Sequence, residues 1–267
     1  IRLLQFSNME LAEFVDQDGF GYPGEIFTAV GTPPDDTWSP PYGQGDMFFN
    51  RFDYNLPEKG NYAFHTLIHE LGHSLGLKHG HAAQEYPGST TLIPALPANI
   101  DSMEFSIMTY RSTVGGPVEG AYTNEEYGYA QSLMMLDIAA LQYLYGADYT
   151  SNNGNSVYTW DGVTGEMSIN GTGQGAAGAN RVFLTIWDGG GTDTYDMSNF
   201  GGGVKIDLAP GHFSVTAREQ LALLDEANGT RARGNVFNSL LHDGDLRSLI
   251  ENAMGGTGSD TITGNVG

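Results

Sequence analysis

His69-Glu70-Leu71-Gly72-His73-Ser74-Leu75-Gly76-Leu77-Lys78-His79 is the stretch on which the reading of this chain turns. Apolar Phe64, Leu67, Ile68, Leu71 and Leu75 have the spacing of one helix face and predict a helix over residues 63–75. Residues four apart on a helix share a face, so His69 and His73 present two imidazoles to one ion, with Glu70 beside them. Gly76 ends the helix, since glycine accepts the left-handed backbone needed there, and the chain then turns to bring His79 round as a third nitrogen ligand. Three neutral imidazoles with an open position make a catalytic type of zinc site, at which bound water is acidified to a pKa of about 7. Glu70 is placed to take that water's proton as it attacks a carbonyl. His65 and His81 have no place in this spacing and read as surface or loop histidines.

The rest of the composition narrows the choice of partners. The 267 residues carry 32 acidic and 11 basic side chains, a net charge of −21. Such a balance repels phosphate backbones and anionic headgroups, so neither nucleic acid nor a membrane surface is expected as a partner. No run is long and apolar enough for a transmembrane span, and residues 1–7 lack the basic start and apolar stretch of a signal peptide. Without cysteine there is no disulfide and no thiolate zinc site, so any metal is held by nitrogen or oxygen.

Of the 38 glycines, 16 fall in residues 1–150 and 22 in the shorter remainder. The long apolar stretch over 129–145 ends at Gly146 and gives way to the polar run 151–156, so a domain boundary is expected near residue 150, dividing 1–149 from 150–267. In the first part, residues 1–6, 25–30 and 47–54 predict strands, 31–45 with its four prolines a loop, 80–104 irregular chain, and 129–145 a second, buried helix. The second part shows short β-branched and aromatic runs over 156–160, 182–187 and 204–208 between glycine and aspartate clusters, an all-β pattern. Residues 255–263 read G-G-T-G-S-D-T-I-T, a full match to the calcium-binding β-roll nonapeptide, and 188–196 read D-G-G-G-T-D-T-Y-D, differing at the first glycine.

The extended histidine motif followed by Ser106-Ile107-Met108-Thr109-Tyr110 resembles the zinc motif and methionine turn of the metzincin metallopeptidases, with Met108 beneath the metal. Within that group the match is closest to the serralysins, secreted bacterial proteases with a calcium-binding β-roll behind the catalytic domain. The resemblance implies an α+β fold: a metzincin-like catalytic domain, then an all-β calcium-binding parallel β-roll or sandwich. It also implies a secreted zinc endopeptidase acting as a monomer on protein or peptide substrates. Zinc would be held by His69, His73, His79 and Tyr110, with Glu70 as general base and Tyr110 able to swing away and hydrogen-bond the reaction intermediate. Residues 137–146 resemble the family's second helix, and 47–50 align with the strand that receives substrate.

Calcium ligands implied by the resemblance are Asn152, Gly154, Ser156, Asp188, Gly190 and Asp193 for one ion, and Gly191, Asp193, Leu249 and Glu251 for a second. Gly256, Gly258 and Asp260 would begin a third. Three departures stand out: Gly80 replaces the usual proline after the third histidine and is expected to loosen the loop; only 68 residues precede His69; and the chain stops just after one full nonapeptide, so a truncated form lacking the rest of the roll is expected. Two alternatives remain at this level: an inactive calcium-stabilised binding or adhesion module, or a matrixin-like peptidase with an unrelated β domain.

Overall fold

Asn61 starts the first helix, its side chain accepting the Phe64 amide at 2.8 Å. This helix, α1, spans Tyr62–Ser74 and stops at Leu75, followed by Gly76 at φ +93°. The computed structural model describes residues 3–6, 29–34, 45–50, 53–85, 90–120 and 122–267. Strands β1 (Leu3–Phe6), β2 (Ala29–Gly31) and β3 (Met47–Asn50) form a sheet in the order β1-β3-β2, with β3 parallel to β1 and antiparallel to β2. Leu67 and Leu71 of α1 pack against Met47, Phe49, Tyr54 and Ala63, joining helix to sheet. The strand predicted over 25–30 is seen at its end as β2; residues 1–2, 25–28, 35–44, 51–52 and 86–89 of the predicted elements lie outside the described residues. The substrate-strand alignment of 47–50 does not fit this topology, because β3 has a partner on each side and no free ladder, whereas β2 is at an edge among the described residues. Within the irregular segment 80–104, Gln84–Glu85 (β4) and Leu92–Ile93 (β5) pair as a short antiparallel ribbon.

The second helix, α2, spans only Met135–Tyr145. Residues 129–134 read as helix from their apolar content, but distant carbonyls claim their amides: Tyr129 donates to Gly60 O at 3.0 Å and Gln131 to Phe183 O at 2.9 Å. Asp137 then accepts the Met134 amide at 2.9 Å and fixes the helix start. The expected burial of this helix holds for Met135, Asp137 and Gln142, while Tyr143, Leu144 and Tyr145 at its end are exposed.

From residue 157 onward the described chain is β-strand and turn with a few 3-10 turns. Strands β6 (Val157–Trp160), β7 (Met167–Ile169), β8 (Thr172–Gly173), β9 (Leu184–Ile186), β10 (Thr194–Asp196) and β11 (Lys205–Asp207) are followed by β12 (Phe213–Ser214), β13 (Leu223–Asp225), β14 (Thr230–Arg231), β15 (Val236–Asn238), β16 (Asn252–Met254) and β17 (Thr261–Thr263). One sheet has the order β16-β10-β6-β7-β8, its first three strands parallel, and β11 pairs in parallel with β17. The side chains of Tyr158, Trp160 and Tyr195 from the first sheet, with Met197 just beyond β10, pack with Ile206, Leu208, Leu184 and Val236 in one buried core. Both nonapeptides place their last three residues in a strand, β10 and β17, and their glycines in the preceding turn. The predominantly β chain with few helices fits a serralysin-type C-terminal β-roll. A second core joins Met103, Ile107, Met108, Met134 and Met135 to Phe183, Ala222, Leu224 and Phe237, so hydrophobic packing runs across residue 150.

Candidate metal centre

The site is built where α1 meets the turn at residues 106–110. His69, His73 and His79 each offer a ring nitrogen, and these atoms lie within 4.8 Å of one another, the one such trio of histidine or acidic side chains among the described residues. The His69 Nδ1 donates to Ile107 O and the His73 Nδ1 to Leu77 O, both at 2.8 Å. A carbonyl can only accept, so both Nδ1 atoms carry the proton and both Nε2 atoms keep a free lone pair. The His73 and His79 Nε2 atoms stand 3.0 Å apart. Burial, with added repulsion among the imidazoles for His69 and His79, pushes all three below the ordinary histidine value, His79 to about 3. Neutral rings whose nitrogens gather within 4.8 Å form a donor set suited to a borderline-soft divalent cation such as zinc.

Glu70 is buried beside this cluster, and loss of hydration raises its carboxyl to about 7, partly offset by the Gly31 amide donating to it. Gly31 lies at the edge strand β2, where a Cβ would meet Glu70 O at 2.2 Å, so β2 packs directly on the helix. The Tyr110 ring lies 4.7 Å from the His79 ring and 5.8 Å from that of His69, centroid to centroid, and is 39% exposed. Burial and the nearby Glu70 hold its phenol up at about 12, so it remains a proton donor near neutrality.

The turn below is fastened from α2. Asp137 accepts from Ser106 Oγ at 2.6 Å and from the Ile107 amide at 2.8 Å, and Ser106 Oγ accepts the Met108 amide at 3.1 Å. The Ile107 backbone therefore links a buried carboxylate to His69, its N–H on one side and its C=O on the other. Burial raises the Asp137 carboxyl to about 6 against the opposing effect of these hydrogen bonds. Met108 is buried, and its sulfur takes the space where a Cβ on Gly72 would lie, 2.4 Å away. Gly72 is thus the small residue that admits the methionine beneath the histidine helix. Gly80 does not loosen the loop: its amide donates to Met108 O at 2.8 Å, a bond that a proline could not make. His81 is not a detached loop histidine either, since its Nδ1 accepts the Tyr110 amide at 3.1 Å and its ring stacks on that of His79. His65 is buried rather than at the surface. The sequence singled out neither Asp137 nor Gly72 for these duties, because their partners are fixed only by the packing of α2 and the turn.

The acidic residues of the roll lie in its turns, without forming a trio as close as the histidines. Asp188 is buried, accepting from Gly190 N at 2.9 Å and from the Tyr158 hydroxyl at 2.6 Å. Asp193 Oδ1 accepts the Ser156 amide at 2.7 Å, and its own amide donates to Glu251 at 2.7 Å. Its Oδ2 is buried with no partner, and burial together with the charges of Asp188 and Glu251 pushes the carboxyl well above its usual range. Gly191, at φ +150°, lies against Gly154 O, and the Ser156 hydroxyl donates to Gly154 O at 3.1 Å, with Asn152 O 3.4 Å away. Leu249 is buried two residues before Glu251. Gly256 and Gly258 pack on the backbone of Phe200 and Gly202, and Asp260 accepts the Val204 amide at 3.0 Å. Carboxylate and carbonyl oxygens of this kind are the ligand type that a hard cation takes.

Residues 147–219 match the family model for the peptidase M10 serralysin C terminal. Serralysin of Proteus mirabilis is 33% identical over 254 residues, 91% of this chain and 44% of the relative. Serralysin C of Dickeya chrysanthemi is 36% identical over 222 residues, 82% of the chain and 40% of the relative. Metalloprotease AprA of Pseudomonas entomophila is 33% identical over 209 residues, 78% and 38% respectively. The chain spans less than half the length of these curated relatives. No helix among the described residues is long and apolar enough to cross a membrane. The C-terminal match and the sequence shared over most of the chain relate this protein to the serralysin family.

Proposed function

We propose that the chain is a secreted zinc endopeptidase that hydrolyses peptide bonds of protein substrates, with residues 1–149 as a metzincin-like catalytic domain and 150–267 as a calcium-binding β domain. The reading is supported chiefly by one observation: two carbonyls fix the tautomers of His69 and His73 so that their free nitrogens face that of His79. His69, His73 and His79 would hold zinc, with Tyr110 as a further, releasable ligand. Zinc held there would supply Lewis acidity toward the scissile carbonyl and lower the pKa of coordinated water.

The chain's own groups do the rest. Glu70, whose carboxyl is held near neutrality by burial, accepts the proton of the attacking water and returns it to the departing amine. Tyr110, still protonated, donates its hydroxyl to the developing oxyanion. Among the described residues β2 has a strand neighbour on one side only, and its place beside Glu70 suits an extended peptide that adds as a strand. In the β domain, Asp188, Asp193 and Glu251 with carbonyls of residues 152–156, 190–191 and 249 would hold calcium, and Gly256, Gly258 and Asp260 a further ion. The match over 147–219 weighs against a matrixin-like peptidase with an unrelated β domain.

Casein digestion by zinc-loaded protein and by a Glu70→Ala variant of equal zinc content tests this. The variant is expected to lose roughly 10²- to 10⁴-fold in rate. Equal digestion by the two would remove Glu70 from the mechanism, and no digestion by either would remove the peptidase reading.

A further inference from the structure

The Tyr110 ring sits in a half-exposed loop, yet the backbone that carries it is gripped on both sides. The Tyr110 amide donates to His81 Nδ1 at 3.1 Å, and the carbonyl of Thr109 accepts the Tyr122 hydroxyl at 3.2 Å. These two groups are the N–H and C=O of a single peptide unit and point in opposite directions. We propose that His81 and Tyr122 clamp the Thr109–Tyr110 peptide and act as positioning residues that hold the Tyr110 phenol at the metal centre. The inference rests on the reading of Tyr110 as a ligand given above.

The surroundings assign each partner its role. A backbone amide only donates, so His81 Nδ1 is the bare nitrogen and its proton lies on Nε2. The His81 ring is 4.5 Å from that of Tyr110 at 32° and 5.1 Å from that of His79 at 30°, a wedge that keeps the phenol beside the third histidine. On the other side, the Tyr122 hydroxyl spends its proton on Thr109 O, so the His65 Nε2, 3.3 Å away, donates to the Tyr122 oxygen. His65 Nδ1 is correspondingly buried without a partner. The Tyr122 ring meets that of Tyr110 edge-on at 6.2 Å, and its other neighbours include His65 and Tyr129. With the peptide plane fixed, the Tyr110 ring moves by its own φ and side-chain torsions alone, which allows it to leave and return without remodelling the residues before it.

Copper(II) loaded in place of zinc gives a test that does not depend on turnover, because a coordinated phenolate produces a phenolate-to-copper charge-transfer band. The comparison needs the parent protein, Tyr110→Phe as the blank, His81→Ala, His81→Asn and Tyr122→Phe, all at equal copper content. The band is expected in the parent, absent from the blank, and weakened in His81→Ala and in Tyr122→Phe, with recovery in His81→Asn, whose amide oxygen can accept the same N–H. With zinc, kcat in His81→Ala and Tyr122→Phe is expected to fall roughly 10-fold with KM little changed. A parent spectrum identical to the Tyr110→Phe blank would overturn Tyr110 as a ligand and the clamp with it. A band present in the parent and undiminished in both His81→Ala and Tyr122→Phe would overturn the clamp alone, and Tyr122→Phe decides the matter if His81→Ala fails to fold.

Discussion

The histidine cluster and the acidic turns of the roll both gather potential ligands, but they reach that state by opposite routes. Around His69, His73 and His79 the chain supplies all that is needed to hold the rings: two carbonyls set tautomers, Asp137 pins the turn, and burial keeps the imidazoles uncharged. Around Asp193 the chain supplies like charges instead, Asp188 and Glu251 beside a carboxylate with one buried oxygen unpartnered. The first arrangement holds its rings without added charge, and the second gathers like charges that a bound cation would relieve. Preorganisation suits a centre whose cation must stay chemically open, whereas charge frustration suits one whose cation is part of the fold.

That contrast can be broken in three ways. The largest effect is expected from calcium chelation, which should abolish amide protection over residues 188–196 and 251–263 while leaving 62–79 protected. If the ion stands at about 100 to 1,000 times its Kd, its removal costs roughly 3 to 4 kcal/mol. Hydrogen exchange read by mass spectrometry checks this, and equal loosening of both regions would erase the distinction. Next comes Asp137→Asn, which replaces two acceptor oxygens by one and strands at least one of the donors Ser106, Ile107 and Met134. It should cost about 1–3 kcal/mol in urea unfolding. The aspartate's carboxyl is raised from 3.8 to about 6 in the folded state, so its protonated form favours folding fully below 3.8, and this contribution disappears as pH rises through about 6. The stability gap between parent and variant should therefore narrow between pH 4 and 6, by at most about 1.4 kcal/mol per pH unit; a flat gap would mean that Asp137 is already ionised throughout. Smallest is Gly80→Pro, which deletes the hydrogen bond to Met108 O at a cost of about 0.5–1.5 kcal/mol, partly offset by a stiffer unfolded chain. An unchanged melting temperature would mean that the stiffer unfolded chain offsets the lost bond in full.

Local rules made α1 legible nearly to the residue, because its cap, its apolar stripe and Gly76 all lie within the segment itself. The two nonapeptides were legible for the same reason, turn and strand being written in nine consecutive residues. What escaped the sequence was set by partners far along the chain. Residues 129–134 have helical composition, but Gly60 and Phe183 take their amides, and α2 begins late. The substrate-strand alignment of 47–50 missed because edge or interior position depends on which strands flank β3, which no property of those four residues records. His81 looked idle by spacing, since its acceptor role is defined only once the turn at 106–110 folds beneath it. The three histidines were readable and their tautomers were not.

The core that joins Met103, Ile107 and Met108 to Phe183, Ala222, Leu224 and Phe237 bears on how portable the histidine helix is. A graft of residues 62–110 onto another scaffold would leave the methionine turn without its floor, and the imidazoles would drift with it. Any minimal engineered version has to carry the strands from 183 to 237 along, so the half that reads as an accessory is in practice the anvil on which the other half is shaped.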